Sequence, residues 1–278
     1  MASSRQNIAV ILLSALLTLG SGCASVATRA PEAPAERTPY EEQVVRVLSW
    51  NVGTSKTTDS SLDNDHIPIV VETIAMAGAD VVLLQEVGSQ HQSEKIRQGL
   101  ADKDVHYTAV TIKTDPDVAD RLLVTLFKGG QGEARSWHTS EGMGVLAVPA
   151  GGMWVLNVQG PPRFAPARNR FFREASTWAA EHTGPVIFGG DYNLDPDGKQ
   201  FALWFTWPAL DRSTFRLLRN AFPIGTTAKI TTAQERAFDH IRARFARLVS
   251  EQHLTGHREG NMDHDPVMAD IAPLMHRP

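Results

Sequence analysis

The sequence predicts an α/β (α+β) fold, a four-layer sandwich in which two packed, mostly antiparallel β-sheets are flanked by helices. Three observations predict it. Strand-like apolar segments follow one another closely, glycine pairs such as Gly129-Gly130 and Gly151-Gly152 separate some of them, and helical segments are few. Glycine-rich turns between apolar segments are typical of strands that are consecutive in a sheet. A doubly wound parallel sheet requires a helix after most strands, so two packed sheets with helices outside fit the pattern better.

The N-terminal segment has the pattern of an export signal. Arg5 precedes an apolar run from Ile8 to Leu19, and small residues then lead to Cys23, the only cysteine of the chain. The run is too short to span a bilayer as a permanent helix, so residues 1–22 are predicted to be a cleaved signal peptide. The boundary resembles the lipobox of bacterial lipoproteins, although Gly20 stands where those proteins prefer leucine. The resemblance implies lipidation of Cys23, with ordinary signal cleavage nearby as the alternative.

Residues 23–40 are predicted to be a flexible tether, because they are rich in Ala, Pro, Arg, Glu and Thr and have no hydrophobic period. Residues 41–278 are long enough for one sizeable domain. Ala24 is not acidic, which in a Gram-negative host resembles the sorting of lipoproteins to the outer membrane, facing the periplasm. We therefore expect an exported chain that is anchored to a membrane through lipidated Cys23.

The composition limits the functions that this domain can have. Hydrophobic residues make up 42% and charged residues 21% of the chain, and the formal net charge is −4. A tight, sequence-blind nucleic-acid binder is usually strongly basic, so the net charge argues against that class. If the substrate carries phosphate, a local site must bind it. The sequence indicates no protein partner.

The predicted elements follow from the period of the apolar residues. Ile67–Met76 has a helical period that Gly78 ends, whereas Val81–Leu84 is a continuous apolar run, as in a strand covered on both faces. Arg168–His182 is predicted to be an amphipathic helix. The other predicted helices are Ser93–Leu100 and Asp211–Ala221. The other predicted strands are Val44–Trp50, Tyr107–Ile112, Leu122–Phe127, Val145–Pro149, Met153–Gln159, Pro185–Phe188, Phe238–Ile241, Ala243–Val249 and Pro266–Ile271.

Polar residues follow several of these strands directly. Asn51 follows the first strand, Gln85-Glu86 follow the second, and Asp191 follows Gly189-Gly190 after a later one. A polar residue after a strand usually begins a solvated loop. If the strands share one rim of a sheet, however, their terminal side chains converge on one pocket, as a metal and phosphate site requires.

Asp191 and Asn193 are spaced two residues apart. In an extended backbone their side chains point to the same side, where the carboxylate can accept a proton from water and the amide can orient that water. Near the end of the chain, Asp263-His264-Asp265 precede the last strand; a polar turn closed by proline is the plain interpretation. Asp239 lies inside an apolar strand, where burial is costly without a partner, and His264 is the candidate partner.

Together these residues resemble the endonuclease/exonuclease/phosphatase superfamily, which has the DNase-I-like fold. The resemblance extends from about Val45 to Ile271. Each motif is weak alone, but five in the family's order are a specific combination. The motifs are Trp50-Asn51, Leu84-Gln85-Glu86, Gly190-Asp191-Tyr192-Asn193, Asp239-His240-Ile241 and Asp263-His264-Asp265-Pro266-Val267.

The resemblance implies a divalent cation site. Glu86 would ligate Mg²⁺ or Mn²⁺, with help from Asn51 and Asp263. Hard oxygen ligands of this kind suit Mg²⁺, which keeps several waters and bridges to substrate phosphate.

It also implies the catalytic groups. Asp191 would deprotonate the attacking water, and Asn193 would position that water or stabilise the developing charge. His264, held by Asp239, would donate a hydrogen bond to the phosphoryl group. Stabilisation of charge on the phosphoryl oxygens is the main source of catalysis in such reactions.

One position departs from the pattern. Gln159 stands where many relatives carry a histidine that contacts phosphate, and glutamine cannot deliver a proton at neutral pH. Gln159, Arg163 and Arg168 are nevertheless predicted to bind substrate. For the arginines, the alternative is the solvated face of the following helix.

The sequence is compatible with two functions. The favoured one is a metal-dependent hydrolase of phosphate esters, that is, a phosphodiesterase, nuclease or phosphatase acting on nucleic acid, nucleotides or phospholipid head groups. The alternative, motivated by Gln159, is a catalytically impaired, lipid-anchored envelope protein that binds a phosphate ligand. Substrate choice depends on loops that the sequence does not decode.

Overall fold

The computed structural model describes residues 44–54, 61–116, 121–129, 132–162, 164–194, 208–227, 231–232, 237–256 and 262–274. All of them belong to one of the two units into which the chain divides, Ala33–Pro278. The predicted signal peptide, the tether, Cys23 and Arg163 lie outside the described residues. Within these ranges, none of the helices combines the length and the apolar character that crossing a bilayer requires.

The described residues form two six-stranded sheets, each of which contains one parallel pair among antiparallel pairs. The strands are β1 Val45–Asn51, β2 Val81–Val87, β3 Thr108–Lys113, β4 Leu122–Phe127, β5 Arg135–His138, β6 Gly144–Ala150, β7 Met153–Gln159, β8 Val186–Asp191, β9 Ile224–Gly225, β10 Asp239–Arg244, β11 Ala246–His253 and β12 Val267–Pro273. The first sheet has the order β11-β12-β1-β2-β4-β3, and the second has the order β5-β6-β7-β8-β10-β9. The parallel pairs are β1 with β2 and β7 with β8. The predicted mostly antiparallel sandwich is confirmed.

Helices cover the outer faces of the sheets. They are α1 Ile67–Ala77, α2 Gln90–Ala101, α3 Ala165–Ala180 and α4 Pro208–Ala221, with a short 3-10 helix at Asn64–His66. α1 carries a proline in its first turn and ends at Gly78, whose backbone is left-handed at φ 60°, as is common at a helix C-terminus. Ser89 caps α2 by accepting a hydrogen bond from the Gln92 backbone N–H.

Three apolar clusters separate the four layers. One lies between α1, α2 and the first sheet, a second lies between the two sheets, and a third lies between the second sheet and α3 and α4. The central strands therefore contribute to two clusters at once. In β7, for example, Met153 and Val155 face the other sheet, while Leu156 and Val158 face the helices. Burial on both faces explains why these strands are continuous apolar runs in the sequence.

The largest differences from the sequence prediction are at the edges. β5 and β9 were not predicted, because the β5 sequence Arg-Ser-Trp-His is mostly exposed and polar at the edge of its sheet, and β9 has only two residues. α3 begins at Ala165 instead of Arg168 and ends at Ala180. Its first turn is apolar and contains a proline, so an amphipathic pattern does not reveal it.

Candidate active site

The polar strand ends of both sheets meet at one rim. In the first sheet, Asn51 at the end of β1 lies opposite Gln85 on β2. In the second sheet, Asp191 at the end of β8 lies opposite both Gln159, at the end of β7, and Asp239, at the start of β10. A side-chain hydrogen bond of 3.0 Å from Asn51 Nδ2 to Asp191 Oδ2 joins the two sheets at this rim. The convergence predicted from the sequence is therefore present.

Glu86 reaches the rim through an irregularity of β2. The pairing of β2 with β4 shifts register between Leu84 and Val87, and Glu86 has a left-handed backbone at φ 60°. In a regular strand its side chain would share the face of Val82 and Leu84, which pack beneath α1 and α2. The bulge turns it instead toward the second sheet. Bulges often re-aim a side chain next to active sites.

Asp191 is buried and fully engaged by donors. Its Oδ1 accepts a hydrogen bond of 2.8 Å from the Asn193 backbone N–H, and its Oδ2 accepts bonds of 3.0 Å from the amides of Asn51 and Asn193. Burial raises the pKa of Asp191 to about 7, although the charge of His264 acts in the opposite direction. Asn193 has a left-handed backbone at φ 49°, so its side chain folds back onto Asp191 and does not project from an extended strand as the spacing suggested.

His264 pairs with Asp239 in the interior of the rim. Its Nδ1 donates to Asp239 Oδ2 at 2.7 Å, and its backbone carbonyl accepts from Trp50 Nε1 at 3.0 Å. Burial by itself lowers the pKa of His264, but the Asp239 carboxylate outweighs it and raises the pKa to about 10. The imidazole is therefore a cation at neutral pH. Asp263 lies beside it, with Oδ1 at 3.8 Å from His264 Nε2.

The glycines before Asp191 serve packing. A Cβ atom on Gly190, whose φ is 148°, would lie 1.9 Å from the Val158 carbonyl oxygen of β7. A Cβ atom on Gly189 would lie 2.6 Å from Leu83 Cδ1 in the other sheet. These two glycines let β8 approach its neighbours closely and thereby fix the position of Asp191.

Comparison with known proteins identifies the family. Residues 48–264 match the sequence model of the Endonuclease/Exonuclease/phosphatase family. The chain belongs to this family. No protein of curated function has a matching sequence.

Solved structures with the same fold cover most of the chain. An endonuclease/exonuclease/phosphatase from Beutenbergia cavernae is 17% identical with a TM-score of 0.62, and the match covers 83% of this chain and 72% of that one. One from Bacteroides vulgatus is 15% identical with a TM-score of 0.62, covering 83% and 99%. ANGEL2, described as a 2′,3′-cyclic phosphatase in complex with adenosine-2′,3′-vanadate, is 15% identical with a TM-score of 0.59, covering 84% and 96%.

The oxygen groups at the rim are of the chemical type that a partly hydrated Mg²⁺ or Mn²⁺ ion would take. Glu86, Asn51 and Asp263 offer only oxygen ligands, and the side chains of Glu86 and Asp263 are 13% and 21% exposed. No hydrogen bond from the described residues reaches Glu86 Oε2. Among the described residues, no three of His, Cys, Asp and Glu are grouped as a metal site. Such a set suits an ion that completes its shell with water and substrate phosphate, as Mg²⁺ usually does in this kind of enzyme.

Gln159 is hydrogen-bonded to the side chain of Glu86. It is buried, and its Nε2 donates to Glu86 Oε1 at 2.6 Å, while its Oε1 has no hydrogen-bond partner among the described residues. The predicted contact of Gln159 with substrate therefore competes with this bond, because both Nε2 and Glu86 would have to rearrange. The roles of the other predicted catalytic and metal-ligating residues remain predictions. The structure links Asn51, Asp191 and Asn193 by hydrogen bonds and places Asp263 beside the His264–Asp239 pair.

Arg168 corrects the sequence prediction. Its guanidinium is buried, donates three hydrogen bonds to Asp211 on α4 and donates two more to the carbonyls of Pro161 and Pro162. Guanidinium has five N–H donors, and all are used. Arg168 therefore fastens α4 and the segment after β7 to α3, and it is available neither to substrate nor to solvent. Arg163 lies outside the described residues.

Arg121 is a rim residue that the sequence prediction missed. Its Nη1 lies 3.9 Å from Glu86 Oε1, and its side chain is 33% exposed. It directly precedes β4, whose first residue Leu122 is paired with Val87 next to Glu86. The relevant signal is the position of Arg121 directly before β4, which pairs antiparallel with β2, the strand that contains Glu86. That pairing is not evident from the sequence.

Proposed function

We propose that the chain is a divalent-metal-dependent hydrolase of phosphate esters, acting as a phosphodiesterase, nuclease or phosphatase. The observation that carries the proposal is the single cluster in which the Asp191 carboxylate, two amides and the His264–Asp239 pair meet at the rim. Membership of the family and the cyclic phosphatase described for ANGEL2 support the same chemistry.

Asp191 is proposed as the general base. A base works best when its pKa lies near the operating pH, and burial raises the pKa of Asp191 to about 7. The amides of Asn51 and Asn193 hold its carboxylate in one orientation. In this proposal, Asp191 accepts the proton of a water that attacks phosphorus, and Asn193 orients that water.

His264 is proposed to stabilise charge on the phosphoryl oxygens. Because its Nδ1 donates to Asp239, its Nε2 carries the N–H that can reach substrate. The raised pKa keeps this donor charged at neutral pH, and charged donors form the stronger hydrogen bonds. Asp239 would orient the ring and stabilise its charge, as a carboxylate does in other acid-base pairs.

Glu86, Asn51 and Asp263 are the residues that would hold the cation. When bound, a cation of this kind supplies charge neutralisation on the phosphoryl group and orients it. Gln159 cannot deliver a proton to the leaving group, and none of the described residues is assigned that role here. We therefore expect a preference for substrates whose leaving groups are stable anions.

The activity test uses the purified chain with bis-p-nitrophenyl phosphate. Mn²⁺ should support hydrolysis, EDTA should stop it, and Asp191→Ala should lower kcat by about 10²–10⁴-fold, as expected for loss of a general base. Asp102→Asn, an exposed carboxylate at the end of α2, is the matched control and should keep full activity. Full activity of Asp191→Ala would refute the assigned base.

The binding alternative is favoured by one observation, the engagement of Gln159 with Glu86. A protein that binds Mn²⁺ yet hydrolyses no phosphoester would establish that alternative. Hydrolysis should be measured with four classes of substrate, namely nucleic acid, nucleotides, phosphoinositides and sphingomyelin, with the same metal ion throughout. The net charge of −4 favours small or lipid phosphoesters over duplex DNA, and a nuclease stays among the outcomes.

We also propose that Cys23 is lipidated and anchors the exported chain to a membrane, the outer membrane in a Gram-negative host. The support is the apolar run followed by small residues and the cysteine. Radiolabelled fatty acid should be incorporated into the wild-type chain and not into Cys23→Ala. Equal labelling of both would exclude this anchor.

A further inference from the structure

Two buried amide side chains lie at the interface between the sheets, where the strand pattern calls for apolar residues. On β7, Met153 and Val155 precede Asn157 on the same face and belong to the apolar cluster between the sheets. On β2, Leu83 precedes Gln85 on the same face and belongs to the same apolar cluster. Both Asn157 and Gln85 have no exposed surface. Neither is explained by the packing around it.

These amides join the second sheet to the first. Gln85 Nε2 donates to Asn157 Oδ1 at 2.8 Å. Asn157 Nδ2 lies within hydrogen-bonding distance of three acceptors of the first sheet, at 3.2 Å from the Leu84 carbonyl oxygen, 3.0 Å from the Val124 carbonyl oxygen and 3.3 Å from Thr125 Oγ1. A single side chain of β7 therefore contacts both β2 and β4.

The contacts between β7 and β2 extend as far as the rim. Two residues after Asn157, on the same face of β7, Gln159 donates to Glu86 Oε1 at 2.6 Å. Asn157 and Gln159 thus hold the β2 segment from Leu84 to Glu86, which is where the bulge with the left-handed Glu86 occurs. A strained backbone of this kind persists only when its surroundings fix it.

The buried amides are not fully hydrogen-bonded. Gln85 Oε1 and Gln159 Oε1 are both buried without a hydrogen-bond partner among the described residues. Burying polar groups that are incompletely bonded is costly, and an apolar pair of similar volume is often as stable or more stable. What the amides add is direction, since a hydrogen bond fixes one relative placement of the sheets and an apolar contact tolerates several.

We propose that Asn157, together with Gln85, is a positioning residue that fixes Glu86 against the second sheet and so sets the affinity of the rim for a divalent cation. The inference rests on the proposed function. It assigns Asn157 no contact with substrate or with the reacting atoms. Residues that orient a metal ligand typically contribute about 10–100-fold to metal affinity.

The test replaces both amides at once, by Gln85→Leu/Asn157→Val in the full chain, so that neither leaves an unpaired partner amide. Mn²⁺ affinity is measured by electron paramagnetic resonance without substrate, and the melting midpoint is measured in EDTA. We expect the dissociation constant for Mn²⁺ to rise by about 10–100-fold while the melting midpoint stays the same or increases. Loss of affinity without loss of stability is the result that a purely structural role would not give.

Val155→Ala is the matched control, because it lies on the same face of β7 two residues earlier. It should lower the melting midpoint by several degrees, about the effect of a small core cavity, and leave the Mn²⁺ dissociation constant within about twofold. If the double variant does not fold, Asn157→Ser is measured in the same way, since it removes the amide and keeps a polar group.

An unchanged Mn²⁺ dissociation constant in the amide variants would overturn the inference and leave the proposed function standing. Absence of Mn²⁺ binding by the wild-type chain would overturn both. The two failures are therefore distinguishable.

Discussion

The two halves of the rim are built differently. The base half, which consists of Asp191, Asn193, Asp239 and His264, is buried apart from partly exposed Asn193, and its hydrogen bonds are 2.7–3.0 Å long. Asn51, a proposed cation ligand, donates a hydrogen bond to Asp191. The cation half, which consists of Glu86, Gln159 and Arg121, combines the partly exposed side chains of Glu86 and Arg121 with buried Gln159, and Glu86 is a left-handed residue at a bulge. In the base half, both oxygens of Asp191 accept hydrogen bonds and Asp239 Oδ2 accepts one from His264, while Asp239 Oδ1 has no partner among the described residues. In the cation half, no hydrogen bond from the described residues reaches Glu86 Oε2. In the proposed function, the chain itself preorganises the base half, and a bound cation would complete the cation half.

The largest effect is expected for the His264–Asp239 pair in the base half. His264→Gln should lower kcat by about 10²–10³-fold, as does loss of one donor to a developing oxyanion. Asp239→Asn removes the carboxylate that orients and charges the ring, so it should have a similar effect. Because the two residues act as a unit, the double variant should be little worse than either single variant. Steady-state kinetics at saturating Mn²⁺ measures this, and strictly multiplicative losses would show that the residues act independently.

The next prediction is a pH effect on stability next to the base half. His240 is buried, which lowers its pKa to about 4 from an ordinary 6.5, although Asp239 acts in the opposite direction. Between these values the unfolded chain binds a proton that the folded chain excludes. The contribution of His240 to the free energy of unfolding is therefore fully present above pH 6.5. It decreases by up to about 3 kcal/mol as the pH falls toward 4.

The measurement compares urea unfolding of the wild-type chain and His240→Gln across this range. The comparison between proteins is needed because Asp191, with its raised pKa, contributes in the opposite sense as the pH falls below about 7. The wild-type chain should lose more stability than His240→Gln between pH 6.5 and pH 4. Parallel pH profiles for the two proteins would show that His240 does not titrate differently in the folded state.

A smaller effect is expected in the cation half. Arg121 lies close to Glu86 and is partly exposed, so Arg121→Ala should raise KM for a phosphodiester by about 10-fold with little change in kcat, as for loss of one phosphate contact. It should also tighten Mn²⁺ binding slightly, because a positive charge beside the ligand is removed. Arg97→Ala, at a similarly exposed arginine on α2, is the control. Weaker Mn²⁺ binding by Arg121→Ala would show that the arginine supports the cation site instead of opposing it.

Much of the base half could be predicted from the sequence, because its polar residues stand out within or directly after apolar strands. An acid inside an apolar strand requires a partner, and His264 was the candidate; the structure places the two groups 2.7 Å apart. Polar residues after apolar strands likewise predicted the rim. The order of the motifs identified the family.

The features that the sequence did not predict depend on distant contacts. Arg168 was predicted to bind substrate, with the solvated face of the helix as the alternative, because its actual partner Asp211 lies 43 residues away on another helix. The left-handed backbone of Glu86 depends on a register shift between β2 and β4 that no local pattern indicates. The amides of Gln85 and Asn157, 72 residues apart, interact only because the sheets pack face to face. Long-range pairing, not local propensity, determines each of these.

The separation of the two halves is tested most directly by one Mn²⁺ titration, followed by electron paramagnetic resonance on the wild-type chain, Glu86→Gln and Asp191→Ala. If the cation half binds the ion and the base half performs the proton transfer, Glu86→Gln should bind Mn²⁺ at least about 10-fold more weakly, and Asp191→Ala should bind it with nearly unchanged affinity while lacking turnover. Equal affinity of Glu86→Gln and the wild-type chain would contradict this assignment.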